Sequence, residues 1–334
     1  MKYFLYTTAF LFFFSCKSDP SVTTPSSEQP TTTAPVKVPV FVKDSAFHFV
    51  EKQVAFGPRV PGSEGHKAMR QWAVKKFKEY GATVTEQTFN AKTVTIGEVR
   101  AVNIIASFNP TYSRRVLLAA HWDTRYAADE DEERSDKPID GADDGGSGVA
   151  VLMEIARLLK ENPIQMGVDI VLFDAEDQGG TGAGMETWCL GSQYWAQNPH
   201  TRGYRAEFGI LLDMVGAKGA VFQKENLTEA FPPAKANRIH QHYDKVWSLA
   251  RGMGKSALFL DNLTRPITDD HYFVNLYTDI PMIDIIHKPV NSPNGFGEHW
   301  HTHDDNIKVI DPNVLGSVGQ VVAAYIYNAS GSKL

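Results

Sequence analysis

The sequence predicts a single α/β domain, an α/β sandwich around a central mixed, mostly parallel sheet. Short, near-continuous apolar runs recur at 114–121 (RRVLLAAH), 168–176 (VDIVLFDAE), 208–216 (FGILLDMVG) and 280–287 (IPMIDIIH). Runs of that length, rich in β-branched residues and leucine, are the habit of strands buried on both faces of a parallel sheet. Between the first two lies SGVAVLMEIARLLKE (147–161), with Leu152, Ile155 and Leu159 at helical spacing. Strand, helix, strand is the order from which such sandwiches are built.

The elements follow from the amino terminus. Residues 1–16 read MKYFLYTTAFLFFFSC, one lysine and then a mostly apolar run. A bilayer-spanning helix needs about 20 apolar residues, so the run fits the core of a secretory signal instead. Cys16, directly after a small residue, resembles a bacterial lipoprotein cleavage site and would become a lipidated N-terminus. Residues 17–35, KSDPSVTTPSSEQPTTTAP, have almost nothing to bury and read as a flexible tether. The expected organisation is a signal peptide over 1–15, lipidated Cys16 and tether over 16–40, and one catalytic domain over 41–334, with the folded body opening near Val38–Phe41. Within it, 63–80 (SEGHKAMRQWAVKKFKEY) places Ala68, Trp72 and Phe77 on one helical face. A strand is expected at 94–107, then the four apolar runs. No internal repeat or second linker interrupts them.

Composition excludes whole classes. Of 334 residues 43% are hydrophobic and 22% charged, enough for a core and unlike a disordered chain. A net charge of −6 argues against a nucleic-acid-binding surface. With only two cysteines, Cys16 and Cys189, neither a disulfide framework nor a multi-cysteine zinc module can form.

Chemistry collects at the carboxyl ends of the strands, where open α/β sheets bind ligands. His121 ends the first run, Glu176 and Asp177 follow the second, and Asp213 follows FGILL in the third. Asp144 lies in GADDGGSG before the helix, and His301 in the late loop GEHWHTHDDN. Taken singly each is ordinary, since a carboxylate at a strand end is more often solvated or a helix cap. Placed together by independent strands, imidazoles and carboxylates without thiolate suit catalytic zinc. Rival motifs fail. GGTGAGM (179–185) has Met185 where a dinucleotide loop needs glycine, and GGSGV (145–149) has Val149 where a nucleophile elbow needs glycine. No H-E-x-x-H occurs. The acidic run DEDEER (129–134) reads as a solvated loop.

The ordered set GPRVPGSEG (57–65), HWDTR (121–125), GADDGGSG (141–148), DAED (174–177), LLDMVGA (211–217), TDDH (268–271) and WHTHDDN (300–306) resembles the zinc-aminopeptidase-like superfamily over nearly the whole folded body. Within it, the Trp before the late His, with LLDMVGA and TDDH, is similar to the animal-type glutaminyl-peptide cyclotransferases. That resemblance implies one zinc per chain held by Asp144, Asp177 and His301. It implies Glu176 as proton shuttle, Asp213 and Asp269 as a hydrogen-bonded pair near the reacting amide, and Trp300 as a wall for the substrate side chain. Trp188 is the candidate for a second substrate-contacting Trp, with Trp195 the other possibility. The animal members carry Glu-Glu where this chain has Glu176-Asp177, so its ligand is one methylene shorter.

The implied reaction is cyclisation of N-terminal glutamine to pyroglutamate with release of ammonia, on peptides and proteins beginning with glutamine. The same residues support an aminopeptidase, in which His121 and Asp213 complete a second metal site with Asp144 bridging and Glu176 as general base. His121 can equally remain beside a single zinc. The lipid anchor places the enzyme in the periplasm, on the outer membrane of a Gram-negative bacterium, and a monomer is expected.

Overall fold

The computed structural model describes residues 1–5, 9, 11 and 37–331. The chain divides into two units, Met1–Pro35 and Val36–Leu334. In the first unit the described residues form no helix or strand. Cys16 and most of the leader and tether lie outside the described residues. Phe41 is the first buried residue of the second unit among those described, its amide donating to Gln320 Oε1 at 2.9 Å.

The second unit runs α1 (Lys43–Val54), α2 (Glu64–Glu79), β1 (Thr83–Lys92), β2 (Glu98–Phe108), β3 (Arg115–His121), α3 (Gly146–Glu161), β4 (Gly167–Phe173), α4 (Leu190–Gln197), β5 (Phe208–Asp213), β6 (Phe222–Glu225), α5 (Pro233–Gly252), β7 (Phe259–Thr264), α6 (Asp270–Tyr277), β8 (Met282–Ile286) and α7 (Pro312–Gly331). The main sheet has the order β1-β2-β4-β3-β5-β8. Strands β4, β3, β5 and β8 are parallel, and the β1–β2 hairpin joins antiparallel along β4. A separate pair, β6 and β7, is also parallel.

All four apolar runs form the parallel strands. Their burial on both faces is visible in β3. Val116, Leu118 and Ala120 pack into one cluster with α3 and α7, while Leu117 and Ala119 pack into another with Trp195 and Val274. The strand expected at 94–107 is corrected: the chain turns over 93–97 and β2 begins at Glu98. Thr93 makes that turn, donating its hydroxyl to Gly97 O at 2.8 Å and accepting from Ile96 N at 3.0 Å. Strand β1, half exposed and rich in Thr, Glu and Gln, offers no comparable apolar run.

Helix α3 is buried almost all round, and Gly148 is the reason it can be. A Cβ there would lie 2.1 Å from Leu212 O of β5, so only glycine permits this approach. Truncating Leu152 or Ile155 to Ala costs about 2–5 kcal/mol by the cavity left in such a core. Helix α2 starts where Ser63 accepts from His66 N at 3.1 Å, an ordinary N-cap. Among the described residues no helix is long and apolar enough to cross a membrane.

From β3 the chain winds through α3 to β4, then back past β3 to β5. The strand order reverses at β3, and a crevice opens at its carboxyl end.

Candidate active site

Every residue singled out from the sequence except Trp195, and Cys16, which lies outside the described residues, converges on that crevice. His121 ends β3, Asp177 follows β4, Asp213 ends β5, and Asp144 stands just before α3. Asp269 caps α6, accepting from Asp270 N. The loop between β8 and α7 brings in Trp300 and His301.

Donor atoms of Asp144, Asp177 and His301 lie within 4.8 Å of one another, and all three residues are buried. His301 Nε2 is 2.9 Å from Asp177 Oδ1 and 3.8 Å from Asp144 Oδ2. Asp177 Oδ2 is buried without a hydrogen-bond partner, an arrangement that is costly unless a cation or proton completes it. The far ring nitrogen, His301 Nδ1, lies 3.0 Å from Asp129 Oδ1. A carboxylate there fixes the tautomer that leaves Nε2 for a metal. Two carboxylates and an oriented imidazole fit zinc and leave a position open for substrate. The shorter Asp177 still carries its oxygen into the cluster.

A second group shares Asp144. His121 Nε2 lies 2.9 Å from Asp144 Oδ1 and 3.2 Å from Asp213 Oδ1. Asp144 thus turns one oxygen toward each histidine, the geometry of a bridging ligand. Its neighbour Asp143 is committed elsewhere, accepting from Gly216 N at 2.7 Å and facing His299 Nε2 at 2.9 Å.

Glu176 lies half-buried on the wall beside this cluster. Burial pushes its carboxyl well up, Asp177, Asp269 and Asp270 push the same way, and His121 opposes them. Asp213 is raised to about 6 by burial, against His121. Asp269 is raised to about 7, by burial first and then by Asp213. Among the described residues Asp213 faces His121 at 3.2 Å, while Asp269 lies in one group with His271 and Asp284.

A cavity of about 650 Å³ opens over these groups, large enough for a glutaminyl residue and its successor. Trp300 stacks on His301 with centroids 3.7 Å apart and on Phe296 at 4.7 Å. Trp188 also stacks on His301, at 6.2 Å, and carries the Arg125 guanidinium 4.8 Å above its ring. A Cβ on Gly179 would fall 2.1 Å from Trp188 Cδ2, so the glycine-rich loop is what lets this ring lie in the wall. Trp195 is core, fully buried between Phe173 and Tyr204 with Nε1 donating to His200 Nδ1 at 3.2 Å.

The residues that hold these loops were not legible as such. Asp123 accepts from Glu176 N at 3.1 Å, Asp177 N at 3.3 Å and Gln178 Nε2 at 3.0 Å. Asp305 does the same for Asp143 N at 2.7 Å and Asp144 N at 3.1 Å. Fully buried Arg59 ties Trp122 O at 3.3 Å to Gly141 O at 2.6 Å. The solvated-loop reading of DEDEER is corrected at Asp129. Against the burial that opposes it, hydrogen bonds with His301 and Arg125 hold its carboxyl far below the usual range.

Comparison with known proteins agrees with this geometry. A family model described as peptidase family M28 matches residues 103–326. A glutaminyl-peptide cyclotransferase of Boiga irregularis is 26% identical over 293 residues, 80% of this chain and 76% of the relative. The structure of a Zn-dependent exopeptidase from Parabacteroides distasonis superposes with TM-score 0.82 at 44% identity, covering 87% of this chain and 100% of that one. Porphyromonas gingivalis glutaminyl cyclase superposes with TM-score 0.81 at 47% identity, over 86% and 98%.

Proposed function

The chain belongs to peptidase family M28, and from that premise we propose that it is a zinc-dependent glutaminyl cyclase acting on peptides and proteins with N-terminal glutamine. The observation that carries this reading is the indole of Trp300 stacked on His301 at the edge of the Asp144–Asp177–His301 cluster. An aromatic wall there suits the two methylenes of a glutamine side chain held with its amide at the donors.

Asp144, Asp177 and His301 would hold one zinc, with Asp129 keeping the imidazole oriented. When bound, zinc supplies Lewis acidity toward the γ-carbonyl oxygen and stabilises charge developing on it. The α-amine attacks the side-chain carbonyl carbon, a five-membered ring closes, and the bond to the amide nitrogen breaks. Glu176 takes a proton from the attacking amine and returns it to the leaving nitrogen, which departs as ammonia. Its raised pKa suits a group that must both accept and give. Trp300 and Trp188 exclude water and restrict the side chain to the ring-closing conformer, where an already tethered nucleophile gains most from orientation. Asp213 and Asp269 border the reacting amide and offer acceptors to its N–H groups.

The His121–Asp144–Asp213 group favours a second reading, a two-zinc aminopeptidase. Zinc stoichiometry, with assays on a glutaminyl dipeptide and an aminoacyl anilide, decides between them. Ammonia release from the dipeptide with one zinc supports the cyclase; anilide cleavage with two zincs replaces it.

The sequence of residues 1–35 supports a lipid-anchored, periplasmic enzyme on the outer membrane, meeting new N-termini as signal peptides are cut. A multiply acylated cysteine anchors stably where one chain does not. Cys16→Ser should move the protein to the soluble exported fraction, and unchanged membrane association would count against the anchor.

A further inference from the structure

Glu176 and its neighbour Ala175 are held at three points by the start of α4. Cys189 N donates to Glu176 O at 2.9 Å, Leu190 N donates to Ala175 O at 3.1 Å, and Cys189 Sγ–H donates to Glu176 Oε1 at 3.1 Å. Both sides of this clasp hold a non-glycine residue in the left-handed region, Ala175 at φ 54 and Cys189 at φ 56. That conformation is unfavourable for any residue with a Cβ and persists only where its surroundings over-determine it. At Cys189 it brings the thiol back onto the carboxylate.

We infer that Cys189 is a positioning residue for Glu176: its thiol holds Oε1, and so turns the second oxygen to the cavity as the atom that exchanges the proton. The inference rests on the assignment of Glu176 as proton shuttle. Among the described residues Oε2 makes no hydrogen bond, and Glu176 lines the cavity wall. Cys189 itself is fully buried. Burial pushes its thiol well up, with Glu176 and Asp270 adding to the effect, so the sulfur keeps its proton and remains a donor. A thiol is a weak donor, well suited to orienting a carboxylate without binding its negative charge so strongly that it ceases to be a base. A buried cysteine serving only as a small hydrophobe needs no such alignment.

The test uses the full zinc-loaded chain on a glutaminyl dipeptide. Cys189→Ala removes the donor from a backbone that tolerates Ala as it tolerates Cys. It should lower kcat by about tenfold, the scale of one hydrogen bond to a charged group, with KM and zinc content unchanged. Cys189→Ser restores a donor and should recover most of that loss. In a Glu176→Gln background Cys189→Ala should lower kcat no further, since both act through one carboxylate. Turnover of Cys189→Ala within about twofold of the parent overturns the inference, and so does an equal fall in the Ala and Ser variants. Should Cys189→Ala fail to fold, Cys189→Ser decides alone: folded with about a tenfold loss, it too overturns the inference. Normal turnover by Glu176→Gln would instead remove the assignment of Glu176. A dead Glu176→Gln beside an unaffected Cys189→Ala removes only the role of the thiol.

Discussion

Trp300 and His301 are neighbours in the chain, yet their rings lie face to face, 3.7 Å apart and 20° from parallel. Adjacent side chains rarely stack, and here His301 takes φ 55, a left-handed conformation that turns the imidazole back beneath the indole. On the proposed function one loop would therefore supply both a metal donor and the wall beside it, and so set the position of substrate relative to that donor within two residues.

Trp300→Ala should consequently raise KM for glutaminyl peptides. Two substrate methylenes lose burial worth about 0.8 kcal/mol each, or roughly tenfold in binding. Trp300→Phe should recover most of it. Steady-state kinetics with zinc content measured in parallel distinguishes this from damage to the metal site, which would lower kcat and zinc together.

The two histidines should part company on metal content. His301→Ala is expected to lose both zinc and activity, whereas on the one-zinc reading His121→Ala keeps its zinc, because His121 is not among the donors of the Asp144–Asp177–His301 group. Atomic emission on purified variants gives the answer. Two zincs in the parent, falling to one in His121→Ala, would favour the aminopeptidase.

Asp129 gives a prediction that the sequence did not. Its carboxylate orients His301 through Nδ1, and outer partners of this kind are typically worth about 10–100-fold in metal affinity. Asp129→Asn should weaken zinc binding by that order in chelator competition. Asp131→Asn, whose partner is His303, should not.

The contrast shows where sequence reading stops. Strands β3, β4, β5 and β8 were legible because burial on both faces leaves runs such as VLLAA and GVDIVLF with scarcely a polar residue. His121, Asp177 and Asp213 were legible because each closes or follows such a run. Arg59, Asp123 and Asp305 were not, since each works by binding backbone groups of a loop distant in sequence. No local spacing records that. Asp129 stood in plain view within an acidic run, and only the fold tells it from its solvated neighbours. Strand β1 escaped because a half-exposed edge strand alternates too weakly to stand out.

Away from the site, acid should loosen the packing of α5 on α7. His242 is buried against Phe208, with Nδ1 2.7 Å from the Tyr325 hydroxyl. Burial lowers its pKa from 6.5 to about 4, and Lys245 and Arg238 add to that. A depressed folded pKa means the unfolded chain binds the proton first. Stability is therefore full above about pH 6.5, lost as pH falls toward about 4, and constant in this respect below; the total is about 3 kcal/mol. Denaturant titrations at pH 7 and pH 4.5 on the parent and His242→Gln isolate it as a difference. Parallel losses in both proteins would show that His242 is not the group responsible.

Glu176 and Asp177 separate proton transfer from metal binding. They are adjacent, both held at the backbone by Asp123, and their side chains diverge: Glu176 to the cavity wall and Cys189, Asp177 to His301. Glu176→Gln keeps shape and hydrogen-bonding capacity but cannot accept a proton. It should bind zinc normally while kcat falls by about 10²–10⁴-fold, the usual worth of general acid–base catalysis. KM should barely move, because binding rests on Trp300 and the metal. Asp177→Asn should do the reverse in its cause, losing zinc first. Activity falls with occupancy, and so does thermal stability, since metal bound only by the folded state adds to folding free energy. Excess zinc should restore part of the activity of Asp177→Asn and none of Glu176→Gln. If added zinc rescued Glu176→Gln, that carboxylate would be a metal ligand, and the proton shuttle would have to be sought at Asp269, whose carboxyl is raised to about 7 by burial and by Asp213 on the same wall.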